Sequence, residues 1–196
     1  MTSIPGFDDF SGKFNAVLST AAWERCQADF SGCERILLVG NGGNLAVCDH
    51  GAIDIARLTN KSASAPGSGI LASSLINDTS HDLWVKNWLS ISCRGLPQEL
   101  LQRTMLIGIS SSGYSSNICR ALDHALSLGC KACLISAQKP KIDGSYNVVE
   151  LDVDEYHTSE VLTLALIYQL IHASGFACPT ISQSNERKLV SDYSAT

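Results

Sequence analysis

The chain has 196 residues, of which 45% are hydrophobic and 17% are charged, and its formal net charge is −5. This length and composition suit a single globular domain with a sizeable core. The acidic balance and the lack of a Lys/Arg cluster argue against direct nucleic-acid binding. No apolar run reaches the roughly 18 residues of a membrane span, and the N-terminus lacks a signal-peptide pattern, so we expect a cytoplasmic protein with no membrane partner.

Short apolar runs alternate with segments of helical periodicity along the chain. This alternation predicts an α/β fold: a doubly wound parallel five-stranded sheet flanked by helices, in a flavodoxin-like three-layer sandwich. We expect one domain over residues 1–196, with a core over about residues 10–175 and a loose N-terminus and C-terminal tail, residues 1–9 and 179–196. The expected helices are 10–30, 45–58, 81–93, 117–128 and 158–174, and the expected strands are 34–40, 69–74, 104–109, 132–136 and 147–153.

The eight cysteines raise the question of a disulfide, zinc or redox protein. Cys130 and Cys133 have the C-x-x-C spacing of zinc and redox sites. Cys133 falls in a predicted strand, where residues three apart face opposite sides, so the two thiols should diverge. We therefore expect free, structural thiols in a reducing compartment, and the zinc or redox interpretation stays as an alternative.

Two predicted strand-to-helix turns have unusual sequences, G-N-G-G-N at residues 40–44 and S-S-S-G-Y-S at residues 110–115. Glycines let the backbone approach a ligand, and hydroxyls at a helix N-terminus can hold an anion without any Lys or Arg. Ser and Gly are also ordinary cap and turn residues, which explains either turn alone equally well. Both turns at one edge of a sheet favour a phosphate site. Neither turn has the fingerprint of a dinucleotide site or of a P-loop, which argues against nicotinamide cofactors and nucleoside triphosphates as ligands.

Four segments carry a resemblance to a known family. The strand LLVGNGGN, the helix with His50 and Asp54, the stretch N-D-T-S-H at residues 77–81 and the segment LIGISSSGYSSN resemble the SIS (sugar isomerase) domain family, most of all the phosphoheptose isomerases. These enzymes interconvert sedoheptulose 7-phosphate and a heptose 7-phosphate. The resemblance covers about residues 10–175 and implies a homotetramer with sites shared between subunits. It implies that phosphate or substrate is bound by Asn41, Gly42, Gly43, Asn44, Asp78, Ser110, Ser111, Ser112 and Ser115.

Aldose–ketose isomerisation requires a base at carbon, a proton donor at oxygen and often a metal. His50 and Asp54 lie four residues apart on a predicted helix and so share a face, as two metal ligands or an acid and a base would. A purely structural role for the pair stays open. The resembling enzymes have His and Glu at these positions, so Asp54 keeps the carboxylate on a shorter side chain.

The other half of the family's site lies on the last long helix, as a Gln followed eight residues later by a His. Ser159 and Ile167 stand at those positions, and neither His157 nor His172 is placed to substitute. With only His50 and Asp54 left as metal ligands, the sequence predicts weak zinc binding or none, and no other cofactor. Glu160 is a candidate substitute base, or equally a first-turn residue favoured by the helix dipole.

Two functions are compatible with this pattern. The first is a metal-free isomerase for sedoheptulose 7-phosphate or a similar sugar phosphate, with Asp54 or Glu160 as base and His50 as acid. The second is a non-catalytic phosphosugar sensor or adaptor that regulates a protein partner, as some SIS proteins do. The retained pair of His50 and Asp54 favours the isomerase.

Overall fold

The computed structural model describes residues 4–140 and 144–181, so residues 1–3 of the expected N-terminus and residues 182–196 of the expected tail lie outside the described residues. The helices are α1 (Phe10–Leu18), α2 (Ala21–Gly32), α3 (Gly43–Leu58), α4 (Gly69–Asp78), α5 (Trp84–Ser92), α6 (Gln98–Gln102), α7 (Ser116–Ser127) and α8 (Tyr156–Ala173). The strands are β1 (Arg35–Gly40), β2 (Ser62–Ser64), β3 (Thr104–Ile109), β4 (Lys131–Ser136) and β5 (Asn147–Glu150).

The five strands form one parallel sheet in the order β2-β1-β3-β4-β5. Side chains alternate across it, so that Ile36 and Leu38 of β1 pack with α1, α2, α3 and α8. Leu37 and Val39 pack in the opposite layer, with α4, α5, α6 and α7. Both faces of the sheet are covered, as a parallel sheet requires, and the strand order is that of flavodoxin-like folds. The predicted fold class is confirmed.

The two C-x-x-C thiols lie on opposite sides of this sheet. Cys133 belongs to the core on the α8 side, whereas Cys130 belongs to the core on the α7 side. All eight cysteines are free thiols, as predicted. The geometry removes the basis for a zinc or redox site at this motif, because one ion or one disulfide cannot join the two sulfur atoms.

The expected strand at residues 69–74 is wrong, since this segment begins helix α4. Leu71, Ala72 and Leu75 pack on the layer of α5 and α7 at helical spacing. The real edge strand, β2, has only the three residues Ser-Ala-Ser and pairs with β1. Such a short, weakly apolar strand leaves no hydrophobic pattern in the sequence. The pattern therefore predicts a strand at the next apolar run, which in the structure belongs to α4.

The expected single helix over residues 10–30 is also wrong, because it divides into α1 and α2. Thr20 has an extended backbone (φ −91°, ψ 144°), and its Oγ1 accepts a hydrogen bond of 3.1 Å from the backbone N–H of Trp23. This is the geometry of an N-cap. The break lets α2 turn its buried Trp23 and Phe30 onto the sheet.

Replacing this cap should destabilise the protein. We expect Thr20→Ala to lower the free energy of unfolding by about 1 kcal/mol, since the first turn of α2 loses the acceptor for one backbone N–H. Urea denaturation measures the change. Ser19→Ala is the matched control, because the Ser19 hydroxyl bonds only to the carbonyl of Asn15 at an exposed position. Equal stabilities of the two variants would contradict the assigned cap.

Candidate functional site

The first glycine turn joins β1 to α3. Gly42 has a left-handed backbone (φ +56°), which glycine adopts without strain. A Cβ on Gly40 would lie 2.8 Å from the backbone of Asn44, and a Cβ on Gly43 would collide with the carboxylate of Glu160. Glycine therefore keeps this turn tight and lets a carboxylate of α8 lie directly over the start of α3.

The second turn joins β3 to α7 and gathers several hydroxyls. Ser110 is buried, and its Oγ donates a 2.9 Å hydrogen bond to Ser115 Oγ, at the N-cap of α7. Ser112 Oγ lies 3.4 Å from Ser110 Oγ. Gly113 has φ +74°, and a Cβ there would lie 3.1 Å from Pro140. The hydroxyls thus converge on a helix N-terminus, where the dipole and the unpaired N–H groups favour an anion.

Direct hydrogen bonds connect the two turns. Asn44 Nδ2 donates to Ser111 Oγ at 3.1 Å, and Ser111 Oγ lies 3.3 Å from Ser159 Oγ of α8. Asn41 and Asn117 exchange a pair of amide hydrogen bonds of 3.0 and 2.8 Å. Asn44 Oδ1 is buried and has no partner within the described residues, so it can accept a bond from a ligand. The structure brings the two turns together into one cradle.

A cleft of about 280 Å³ opens beside the cradle. Ser111, Ser112 and Tyr114 line one side of it, and the other side comes from the segments after β4 and before α8. Lys139 is the cation in this lining, and the sequence analysis missed it. The sequence did contain a signal for Lys139, because this residue shortly follows the end of β4, and β4 ends at the same edge of the sheet as β3. The remaining lining residues are Ala137, Gln138, Val153, Asp154, Glu155 and Tyr156.

His50 and Asp54 form a second cluster with a residue of α8. Their side chains approach to 3.1 Å, Nε2 to Oδ2, as their shared helix face predicts. Tyr168 Oη donates to Asp54 Oδ2 at 2.6 Å and lies 2.9 Å from His50 Nε2. Burial and the Asp54 carboxylate raise the pKa of Tyr168 to about 12, so its hydroxyl keeps the proton. Asp54 is buried and also accepts a 3.0 Å bond from Arg57.

A seam between α3 and α8 connects the cradle to this cluster. Glu160 covers Gly43 at the cradle end, and a Cβ on Gly51 would lie 2.8 Å from Ile167 Cδ1 farther along. Tyr168 then meets His50 and Asp54. At 1.5 Å per residue, His50 lies about 10 Å along α3 from Gly43. The seam thus has Glu160 at its cradle end and the cluster of His50, Asp54 and Tyr168 farther along.

The comparisons with curated proteins point to one class of enzyme. A phosphoheptose isomerase of Syntrophotalea carbinolica is 27% identical over 131 residues, covering 66% of this chain and 65% of the relative. One from Nitratiruptor is 32% identical over 100 residues, 50% of this chain and 52% of the relative. The chain therefore spans less than two thirds of the length of these two relatives. No protein-family model matches the chain.

Solved structures agree on the fold. A phosphoheptose isomerase from Neisseria gonorrhoeae superposes with a TM-score of 0.71 at 16% identity, covering 85% of this chain and 92% of that one. One from Francisella tularensis gives a TM-score of 0.68 at 14% identity, covering 86% and 93%. The chain therefore has the fold of a sugar isomerase (SIS) type domain. None of the helices in the described part of this domain is long and apolar enough to cross a membrane.

The residues of this SIS-type domain do not fit a zinc ion. His50 Nε2 and Asp54 Oδ2 are both engaged by the hydroxyl of Tyr168. Ile167 is fully buried, and Ser159 is bonded to Ser111. Within residues 4–140 and 144–181, no group of three or more His, Cys, Asp and Glu side chains could hold a metal. Since zinc needs three or four such ligands, the described residues do not provide a zinc site.

Asp78 is not brought to the cleft. It is the last residue of α4, is exposed, and accepts a 3.2 Å bond from the neighbouring Asn77. His157 stacks on Phe7 and bonds to the carbonyl of Pro5, away from the seam. The cradle residues and Glu160 therefore form one group, and His50 with Asp54 forms another.

Ser112 offers the most available hydroxyl of the cradle, since it lines the cleft and its two internal contacts are long, 3.4 and 3.5 Å. We expect Ser112→Ala to weaken the binding of sedoheptulose 7-phosphate by about 1–3 kcal/mol, through loss of one charge-assisted hydrogen bond. Isothermal titration calorimetry measures the affinity. Ser127→Ala, at the other end of α7, is the control and should bind like the wild type. Unchanged affinity of Ser112→Ala would remove this hydroxyl from the site.

Proposed function

We propose that this SIS-type domain is an aldose–ketose isomerase that acts on sedoheptulose 7-phosphate or a similar sugar phosphate. The observation that carries the proposal is the Asn44–Ser111 hydrogen bond, which joins the two turns into one anion cradle at the end of the α3–α8 seam. The names of the curated relatives, all phosphoheptose isomerases, support the same chemistry.

The phosphate binds at the cradle. The hydroxyls of Ser110, Ser111, Ser112 and Ser115 supply donors, and the α7 N-terminus supplies the positive end of a helix dipole. Lys139, exposed at the cleft, adds a mobile positive charge on the open side. The glycine turn allows the sugar to pass close to the backbone of α3.

Two properties decide which carboxylate can act as the base: the length of the substrate and the hydrogen bonds that each carboxylate already makes. Six carbon–carbon bonds of about 1.5 Å make a seven-carbon chain shorter than about 9 Å. A phosphate at the end of β3 lies about 5 Å, one strand spacing, from the start of α3. The carbonyl end of the sugar then reaches the stretch between Glu160 and His50. Asp54 is not free to take a proton from carbon, because Oδ2 is bonded to Tyr168 and lies 3.1 Å from His50 Nε2, and Oδ1 is bonded to Arg57.

Glu160 is therefore the base, and His50 is the acid. Glu160 removes the proton from the carbon next to the carbonyl, while protonated His50 gives a proton to the carbonyl oxygen, which yields an enediol. In the second half, His50 recovers a proton from the neighbouring hydroxyl and Glu160 returns its proton to the former carbonyl carbon. Asp54 acts through His50 rather than on the substrate. None of these proton transfers needs a metal ligand from α8.

We also propose that the protein forms a homotetramer and lies in the cytoplasm. Ile53 of α3 and Val161 of α8 are 67% and 45% exposed on the outer sides of the seam helices, which supports their burial against further copies in a homotetramer. A neighbouring subunit would then close the exposed side of His50. The free thiols agree with a reducing cytoplasm.

Turnover is tested by incubating the protein with sedoheptulose 7-phosphate, with and without added zinc, and following the aldose product by NMR. We expect equal turnover in both samples, because the donor set does not fit zinc. Saturable binding of the sugar phosphate without product would contradict the isomerase and would favour a phosphosugar sensor with a protein partner.

Glu160→Gln tests the assigned base. We expect it to bind the sugar phosphate but to lose about 100-fold or more in kcat, because an amide cannot accept the proton from carbon. Glu99→Gln is the control, since Glu99 is exposed on α6 in the opposite layer. Full activity of Glu160→Gln would exclude Glu160 as the base.

A further inference from the structure

Tyr168 is a polar group at the far end of the seam with no role in the proton transfers described above. Its hydroxyl lies between the carboxylate of Asp54, at 2.6 Å, and the imidazole of His50, at 2.9 Å. Neither the residue pattern nor the resemblance to the SIS family pointed to it. Its ring packs against the core, and its hydroxyl contacts the pair that the proposed function uses as acid and acid partner.

The neighbouring Ile167 explains why Tyr168 faces this pair. Ile167 is fully buried and packs against Gly51, which fixes the rotation of α8 on α3. The next residue of a helix is rotated by about 100°, and this rotation carries Tyr168 to the half-buried rim of the seam. There its ring stands edge-on to His50, with the ring centroids 6.3 Å apart and the planes at 84°.

The hydrogen bonds in the cluster have a fixed direction. An ionised carboxylate only accepts, so the phenol proton of Tyr168 is donated to Asp54. The phenol oxygen can then only accept from His50 Nε2, and Asp54 Oδ2, 3.1 Å from the same nitrogen, is a second and more distant acceptor. Both neighbours require a proton on Nε2 of the imidazole. Arg57 donates to the other oxygen of Asp54 at 3.0 Å and completes the set. The reactive nitrogen of His50 is consequently Nδ1, on the opposite side of the ring.

We propose that Tyr168 is a positioning residue of the isomerase site, whose hydroxyl, held by Asp54, is the nearer of the two acceptors that keep His50 in the Nε2–H form, so that Nδ1 carries the transferred proton. This inference rests on the proposed function. Tyr168 touches His50 and not the substrate, so its loss should slow the chemical step and leave substrate binding unchanged.

Tyr168→Phe is the test, because Phe keeps the ring and removes only the hydroxyl. We expect kcat for sedoheptulose 7-phosphate to fall about 10-fold or more, with KM within about 2-fold of the wild type. Tyr146→Phe is the matched control, since Tyr146 is buried in the opposite layer and should keep wild-type kinetics. Thermal unfolding of both variants checks that each remains folded.

A second readout does not depend on turnover. Long-range ¹H–¹⁵N NMR spectra of histidine-labelled protein report which ring nitrogen carries the proton, and His50→Gln assigns the signal. We expect an Nε2–H signature for His50 in the wild type and in Tyr146→Phe. In Tyr168→Phe only the longer 3.1 Å contact with Asp54 remains, so we expect a larger share of the Nδ1–H tautomer than in the wild type.

The two readouts separate the possible failures. Wild-type kcat in Tyr168→Phe, or an unchanged His50 signature in that variant, would overturn the role of Tyr168. Absence of turnover in the wild type would instead contradict the proposed function. The NMR comparison alone would then decide whether Tyr168 orders His50, with a changed signature supporting it and an unchanged one refuting it.

Discussion

Everything at the site depends on how closely α8 packs against α3. Gly43 and Gly51 leave room for the ends of the Glu160 and Ile167 side chains, which would have to shift if either glycine carried a Cβ. A shift of α8 by even a few tenths of an ångström would be felt throughout such a tightly packed contact. The same contact sets the height of Glu160 over the cradle and the reach of Tyr168 to His50. One pair of helices thus fixes the position of both the proposed acid and the proposed base.

The sheet provides the other half of this arrangement. The register of β1 against β3 aligns Gly40 with Ile109, so both strands end at the same level and their turns face each other. Asn44 and Ser111 can therefore bond directly, and the N-termini of α3 and α7 point at a common space. An anion bound there would gain from two helix dipoles and many donors, so the proposed phosphate site would need few basic side chains.

The features that follow short-range rules could be predicted from the sequence. The two turns were found because parallel strands end at one edge, and the His50–Asp54 contact because residues four apart share a helix face. Features that depend on tertiary packing could not. Edge strand β2 has no apolar pattern, and Tyr168 lies in a nearly continuous apolar helix whose rotation is fixed only by Ile167 and Gly51.

The hydrogen bonds of the Asp54 carboxylate help to decide whether the site has lost its function or keeps it without a metal. A buried carboxylate without partners is costly, and a site free of functional constraint has nothing to retain it. Here both oxygens of Asp54 are satisfied, one by Arg57 and the other by Tyr168. Ile167 removes a metal ligand relative to the resembling enzymes, yet its packing is what directs Tyr168 to the pair. The residue that stands in place of the metal ligand is therefore also the one that orients Tyr168 toward His50 and Asp54, which favours the proposed metal-free site.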